Sequence, residues 1–140
     1  MRKIIFIGSL VLLLVITGYV YWFYYNVYGD GYRSGYCQKF SRKGNLFKTY
    51  EGELVQEGFK SKASMDGLNA QYFYFSVVDE KIADSLEKCL EKVVTLHYIQ
   101  YRRALPWRGD RYKDKNLGNS QYIVDRIESV TEVTPVEGLR

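Results

Sequence analysis

The hydrophobic positions of this chain form one uninterrupted block, followed by a series of shorter alternating runs. The block spans residues 4–25, contains no charged residue and directly follows Arg2 and Lys3. As a helix, its 22 residues would extend about 33 Å, slightly more than the roughly 30 Å hydrocarbon core of a bilayer. The block therefore predicts a transmembrane anchor, with the lipid bilayer as its partner through residues 4–25.

The aromatic end of this block distinguishes an anchor from its alternatives. A cleaved signal peptide ends in a small-residue cleavage site, and none is visible here. A lipoprotein would need a cysteine near this point, whereas Cys37 lies a dozen residues beyond the block. A domain this small also could not enclose a helix that is apolar on every side. The rings instead predict a belt at the membrane interface, made of Tyr19, Tyr21, Trp22, Tyr24 and Tyr25, with Phe23 among them.

Beyond residue 35 the hydrophobic pattern changes to the alternation that is typical of β-strands. It is clearest in the run QYFYFSVVD, where Phe73, Phe75 and Val77 share one face, which we assign to the core. Gly52, inside an earlier run, predicts a bulge or a sharp bend. Five strands are predicted, at residues 36–41, 46–56, 71–79, 93–101 and 122–130.

One helix is predicted between the third and fourth strands, because the hydrophobic period changes there. Asp79 is a suitable N-cap, and Ile82, Leu86, Cys89 and Leu90 follow at helical spacing. The resulting order, β-β-β-α-β-β, is that of an OB-fold. We therefore predict a mainly β protein: an N-terminal transmembrane helix followed by a small OB-like five-stranded β-barrel with one helix. SH3-like barrels and small α+β sheets give similar patterns and remain alternatives.

Residues 26–35, NVYGDGYRSG, are glycine-rich and predict a short flexible linker. Gly29, Gly31 and Gly35 come close to a dinucleotide-binding fingerprint. Their last interval is one residue too long, however, and strand-like sequence follows where a helix should begin. The predicted organisation is a cytoplasmic stub and anchor at 1–25, the linker at 26–35, the barrel at 36–130 and a tail at 131–140.

The distribution of charge bears on orientation and on partners. Arg2 and Lys3 favour a cytoplasmic N-terminus by the positive-inside rule, although basic residues also lie within about 20 residues of the other end. A long C-terminal domain is translocated largely regardless of its own charge. We therefore expect a single-pass protein of the bacterial inner membrane with a periplasmic C-terminal domain. The net charge is +4, which is too weak to indicate nucleic acid.

The two cysteines, Cys37 and Cys89, leave two interpretations open. An oxidising periplasm permits one disulfide between them. Cys37 is predicted on a strand and Cys89 near the end of a helix, so the sequence does not decide whether they meet. The alternative is a pair of small buried hydrophobic residues. Two cysteines and one histidine do not make a four-ligand zinc site, so we expect no metal and no cofactor.

The connection between strands four and five, residues 102–119, is the strongest candidate for a contact surface. In an OB-fold this connection borders the binding face. Residues 102–115 hold six basic side chains against two aspartates. Arginine beside tryptophan suits sugars, anionic headgroups or a protein partner, whereas the alternative is a solvated loop whose tryptophan covers the core. The candidate contacts are Arg102, Arg103, Trp107, Arg108, Arg111 and Lys113.

His97, the only histidine, lies in the middle of the fourth predicted strand. A catalytic histidine needs a nucleophile or a carboxylate beside it, and the sequence suggests no such partner. We expect a strand-face histidine that is hydrogen-bonded to a neighbour. No G-x-S-x-G, H-E-x-x-H or phosphate-loop motif is present, so we expect no catalytic residues and no enzymatic activity.

The segments FSRKGNLFKTYEGEL and VTLHYIQYRRALPWRG, together with the anchor and QYIVDRIE, resemble a family of small uncharacterised single-span bacterial membrane proteins. Members often carry the label 6-phosphogluconate dehydrogenase. The sequence does not support that label, because it lacks the cofactor fingerprint and is far too short for the two domains of that enzyme. The resemblance implies the single-span topology and supplies no activity.

Together these features predict a non-enzymatic, membrane-anchored interaction or accessory module of an envelope complex, with its barrel in the periplasm and an envelope or membrane protein as its partner. The alternative is a binding domain for a glycan or an anionic lipid. Single-stranded nucleic acid would become admissible only for a cytoplasmic domain, because exposed aromatic rings beside basic residues suit base stacking.

Overall fold

The computed structural model describes residues 1–56, 71–109 and 120–132. Helix α1 continues directly into a π-helical turn, and one short helix interrupts the strands. Five strands and one domain helix occur in the predicted order. The elements are α1 (Arg2–Val20), the π-helical turn (Tyr21–Tyr25), β1 (Val27–Lys43), β2 (Thr49–Gln56), β3 (Gln71–Val77), α2 (Glu80–Glu87), β4 (Val93–Tyr101) and β5 (Gln121–Thr131).

The first helix is long and apolar enough to span a membrane. With its π-helical turn it covers Arg2–Tyr25, 24 residues, and none of its most apolar stretch is buried against the domain. The hydroxyls of its serine and its threonine bond within the helix: Ser9 donates to the Phe6 carbonyl at 2.9 Å and Thr17 to the Leu13 carbonyl at 2.8 Å. These two hydroxyls are thus satisfied within the helix, as a hydrocarbon environment requires.

The five strands close into a ring in the order β1-β2-β3-β5-β4, with β4 returning to β1. Strand β1 makes this closure possible because its first half pairs with β4 and its second half with β2, Tyr36 taking part in both ladders. A bulge between Cys37 and Lys39 lies next to that change of partner. Bulges bend a strand and increase its twist, so the bend of the ring lies in β1.

Gly52 does not produce the bulge that we predicted for it. Its register with Phe40 on β1 and with Phe75 on β3 is regular. A Cβ atom at this position would overlap the ring of Phe75, a side chain that is only 1% exposed. The glycine therefore makes room for a core ring rather than for a bend.

The core fills the ring and is covered by α2. Phe73, Phe75 and Val77 face inward, as predicted from their alternation. Helix α2 begins at the predicted N-cap, where the side chain of Asp79 accepts a hydrogen bond from the Lys81 backbone N–H at 2.8 Å. The remaining buried hydrophobic residues of this cluster are Cys37, Leu54, Ala83, Leu86, Cys89, Val94, Leu96 and Val124.

The prediction of a flexible linker at residues 26–35 is wrong. From Val27 onward this segment is the first half of β1 and pairs with β4 as far as Val93. Its glycines permit close packing: a Cβ at Gly31 would lie 3.0 Å from the Tyr98 hydroxyl oxygen, and one at Gly35 would lie 2.8 Å from the Val55 carbonyl oxygen. The domain therefore begins one residue after the π-helical turn ends.

The two cysteines are free and buried, in agreement with the interpretation as small core residues. Cys37 is fully buried in β1, and its backbone exchanges hydrogen bonds with the Glu91 N–H and the Lys92 carbonyl. Burial, with a smaller contribution from Cys89, raises the pKa of the Cys37 thiol to about 11. The thiol is therefore protonated and unreactive at neutral pH.

Candidate functional site

Two of the predicted contact arginines lie against the aromatic end of the anchor. The guanidinium of Arg102 lies 5.6 Å from the ring centroid of Trp22 and 5.3 Å from that of Tyr28. The guanidinium of Arg103 lies 5.2 Å from the ring of Phe23 and 6.0 Å from that of Tyr24. Each cation lies within the range of cation–π attraction. The aromatic residues at the end of the helix thus contact two arginines of the domain.

Arg108 connects three parts of the molecule. Its Nη1 donates to the Tyr24 carbonyl at 2.9 Å, its Nε to Gln121 Oε1 at 2.7 Å and its Nη2 to the Arg103 carbonyl at 2.9 Å. Its guanidinium also lies 3.6 Å from the ring centroid of Tyr101. Burial lowers the pKa of Arg108 from its usual value, an effect that the nearby tyrosines partly oppose. We call the contacts of Arg102, Arg103 and Arg108 with residues 22–28 the junction.

A cluster of buried polar groups lies between the loop that carries Arg108 and the sheet. Gln121 is fully buried, and its amide faces the backbone of Leu105. A Cβ at Gly109 would overlap the Ser76 hydroxyl, so the loop backbone is packed directly onto β3. Ser76 in turn donates to both carboxylate oxygens of the buried Glu51, at 3.0 and 2.8 Å. Because these groups bind one another, the loop is held firmly against the sheet.

Trp107, the remaining described member of the predicted loop surface, packs against the turn between β1 and β2. It is 52% exposed, and its ring meets that of Phe47 edge to face at a centroid distance of 6.1 Å. Phe47 lies in the turn between β1 and β2, beside Leu46, which is 85% exposed. These two residues were not among the predicted contacts, because the sequence pattern predicts Leu46 and Phe47 in a strand and not in a turn.

His97 has the hydrogen-bonded neighbours that we expected, and they are carboxylates. Its Nδ1 lies 2.6 Å from Asp125 Oδ1 and its Nε2 lies 3.2 Å from Asp30 Oδ2. The hydrogen bond with Asp125 raises the pKa of His97 above its usual value, with a further contribution from Asp30, while partial burial and Arg126 oppose the shift. No sequence pattern predicts this cluster, since Asp30, His97 and Asp125 come from three different strands.

The neighbours of the His97 ring limit what its two nitrogens can bind. Both ring nitrogens face carboxylates, so neither is free to take a proton from a substrate. Within the ranges that the structure describes, no group of three or more His, Cys, Asp or Glu side chains is placed to hold a metal ion. The cluster therefore acts as a link between β1, β4 and β5.

The structure brings together part of the predicted contact surface. Arg102, Arg103 and Arg108 are placed at the junction, and Trp107 is exposed beside it. Arg111 and Lys113 lie outside the described residues, as does most of the predicted tail. The glycines that resembled a cofactor fingerprint, Gly29, Gly31 and Gly35, all lie within β1.

The fold and the junction define a small, mainly β domain carried by a helix that is long and apolar enough to span a membrane. Residues 26–113 match a family described as a domain of unknown function, DUF8785. Because this match covers more than half of the chain, the chain belongs to that family. The matched region begins where the helix ends, which agrees with β1 belonging to the domain. No curated protein and no solved structure matches the chain.

Proposed function

We propose that this protein is a non-enzymatic, single-pass accessory module of an envelope complex, which holds an OB-like barrel in a fixed position at the periplasmic face of the bacterial inner membrane. The ring order β1-β2-β3-β5-β4 and the helix between β3 and β4 support the OB-like assignment. The envelope partner is a membrane or periplasmic protein that requires this fixed presentation.

The junction carries this proposal. A domain that only needs to be tethered can hang on a flexible segment. Here a single residue, Asn26, separates the π-helical turn from β1, and Arg108 bonds the Tyr24 carbonyl to Gln121 at the start of β5. Helix and ring are therefore coupled, and the direction of the helix sets the direction of the domain.

Two further observations support a role other than catalysis. The single histidine has both ring nitrogens opposite carboxylates. The three glycines that resembled a cofactor fingerprint lie in a paired strand rather than in a loop before a helix. We accordingly propose that the label 6-phosphogluconate dehydrogenase does not describe this chain, although the resemblance to single-span membrane proteins fits its anchor.

The proposal is tested by loosening the junction without removing the anchor. We expect that inserting four glycine and serine residues between Tyr25 and Asn26 lowers the recovery of co-purifying envelope proteins from solubilised membranes, because the domain loses its fixed direction. The matched control carries the same insertion after Arg140. Equal recovery by both variants would contradict a requirement for fixed presentation.

A ligand-binding role is the second candidate, with a glycan or an anionic lipid as the ligand. The exposed pair of Phe47 and Trp107 beside basic residues favours the lipid, because aromatic rings and cations together suit a headgroup region.

A further inference from the structure

We propose that Leu46, Phe47 and Trp107, which we call the tip patch, dock onto the anionic headgroups of the bilayer that holds α1. The inference rests on the membrane anchorage proposed above and gives the domain a second contact with the same membrane. The three side chains are 85%, 44% and 52% exposed, respectively. Apolar side chains that cluster on a surface mark interaction sites more often than isolated ones do.

The turn that carries the patch has a defined shape. Gly44 has φ +127°, a conformation that side chains rarely adopt. A Cβ at Gly44 would overlap the Phe47 carbonyl oxygen, so the backbone folds back tightly on itself. The Phe47 ring then meets Trp107 edge to face. The patch is therefore formed by two loops that brace each other.

The charge around the patch complements an anionic surface. Residues 38–50 contain four basic side chains and no acidic one. Lys43 and Lys48 directly flank the turn, and both are exposed. A lysine near an anionic leaflet contributes about fivefold to the binding equilibrium. An apolar tip with flanking lysines matches a headgroup region, where rings enter the interface and cations meet phosphates.

The position of the patch favours the bilayer as its binding partner. Trp107 is followed by Arg108, which donates to the Tyr24 carbonyl at the end of the anchor. The neighbouring rings of the anchor include Tyr21, 63% exposed, and Trp22, 53% exposed. Through Arg108, the patch is thus linked to the end of the helix that carries the predicted interface rings. An anchored helix keeps a bilayer beside this end of the domain at all times, whereas a protein partner would have to be recruited.

The experiment uses the full chain with Trp22→Phe, which leaves Trp107 as the single tryptophan. The chain is placed in nanodiscs of phosphatidylcholine, with or without phosphatidylglycerol, and quenching by acrylamide and by headgroup-proximal spin-labelled lipid is measured. We expect Trp107 to be protected from acrylamide and quenched by the lipid label in anionic discs. If Trp22→Phe does not fold, the difference in fluorescence quenching between the natural chain and Trp107→Phe gives the contribution of Trp107.

Two variants and one control test whether the tip patch and its flanking lysines cause the protection of Trp107. Phe47→Ser should lower the equilibrium constant for docking about tenfold, the order expected for losing the burial of one phenyl ring. Lys43→Gln with Lys48→Gln should remove most of the preference for anionic discs. Val130→Ser changes an exposed apolar residue at the opposite end of the β4–β5 ladder, away from Tyr101, and should leave quenching unchanged.

Failure of docking and failure of anchorage give different results. A chain that elutes with the discs while Trp107 stays open to acrylamide overturns the docking proposal alone. Protection that appears only after membrane proteins are added, and not with pure lipid, also overturns it in favour of a protein partner. A chain that does not elute with the discs overturns the anchorage itself.

Discussion

At the scale of single residues, His97 is a group whose protonation depends on its neighbours. It lies between Asp125 and Asp30, and the Tyr32 ring meets it edge on at 4.9 Å. Arg126, the opposing cation, donates to the Tyr32 hydroxyl at 3.2 Å. The imidazolium form donates to both carboxylates, which explains why the pKa of His97 is raised.

This geometry predicts how stability depends on pH. A pKa that is higher in the folded state than in the unfolded state means that folding favours the protonated form. The stabilisation is therefore complete below about pH 6.5, the unfolded value, and is lost as the pH rises through the folded pKa. We expect His97→Gln to lower the denaturation midpoint most at acidic pH and progressively less towards alkaline pH.

The measurement for His97 is urea denaturation of the full chain in detergent across this pH range. Lys81→Gln is the control, because Lys81 lies on α2, away from the cluster. If the denaturation midpoints of His97→Gln and the natural chain differed more as the pH rose, the result would contradict the assigned protonation of His97.

Gly52 gives a second test at the residue scale. A Cβ there would overlap the buried Phe75 ring, whereas at Gly29 the nearest atom, Gln100 Oε1, is 4.0 Å away. Gly52→Ala should therefore lower the free energy of unfolding by about 1–3 kcal/mol, the usual cost of overpacking. Gly29→Ala, the matched control on a neighbouring strand, should change it by less than about 0.5 kcal/mol. Equal effects of the two substitutions would contradict the packing argument.

At the scale of elements, the described part of the basic loop, residues 102–109, is bonded into the molecule at three arginines. The predicted contact residues Arg102, Arg103 and Arg108 face the anchor and the start of β5. Their basicity had indicated an external ligand. The local sequence could not show that the complementary groups, aromatic rings and a backbone carbonyl, come from the first 28 residues.

Arg108→Lys tests this assignment. Lysine keeps the charge but cannot donate to Tyr24, Gln121 and Arg103 at once. With partly buried acceptors left unpaired, we expect the free energy of unfolding to fall by about 1–3 kcal/mol. Arg126→Lys is the control, because its bonds to Tyr32 and Glu128 are exposed, and it should change stability by less than about 0.5 kcal/mol. Denaturation curves of both variants in detergent provide the comparison.

Strand β1 shows where local composition misleads. Three glycines in ten residues are typical of a linker, yet the segment is a strand because β4 pairs with it from Val27 to Tyr36, with one irregularity after Val27. Gly31 and Gly35 lie where Tyr98 and the Val55 carbonyl, respectively, approach closely. Only knowledge of those neighbours distinguishes a glycine that loosens a chain from one that admits a close contact.

At the scale of the whole molecule, the domain is coupled to the helix, so the orientation of the helix in the membrane would set the side on which the domain lies. Arg2 and Lys3 precede the span, and we predict a periplasmic domain. Fusions at the C-terminus should then give active alkaline phosphatase and non-fluorescent green fluorescent protein, because each reporter works on only one side of the membrane. The reverse pattern would place the domain in the cytoplasm and contradict the proposed envelope role.

Much of the fold could be predicted from the sequence. The apolar block, the alternation around Phe73 and the cap at Asp79 report on local periodicity, so the order of elements was confirmed. The Asp30–His97–Asp125 cluster and the pairing of Phe47 with Trp107 could not be found in this way, because each joins residues that are far apart in the chain.

Local sequence pattern was enough to predict the long apolar helix, the order of the strands, the domain helix and the inward face of β3, because hydrophobic periodicity depends only on near neighbours. The tertiary structure decided that residues 26–35 belong to a strand, that the basic loop binds the anchor and that the turn at residues 44–48 stands exposed beside Trp107. These features arise from contacts between distant segments, where packing and hydrogen bonding outweigh local preference.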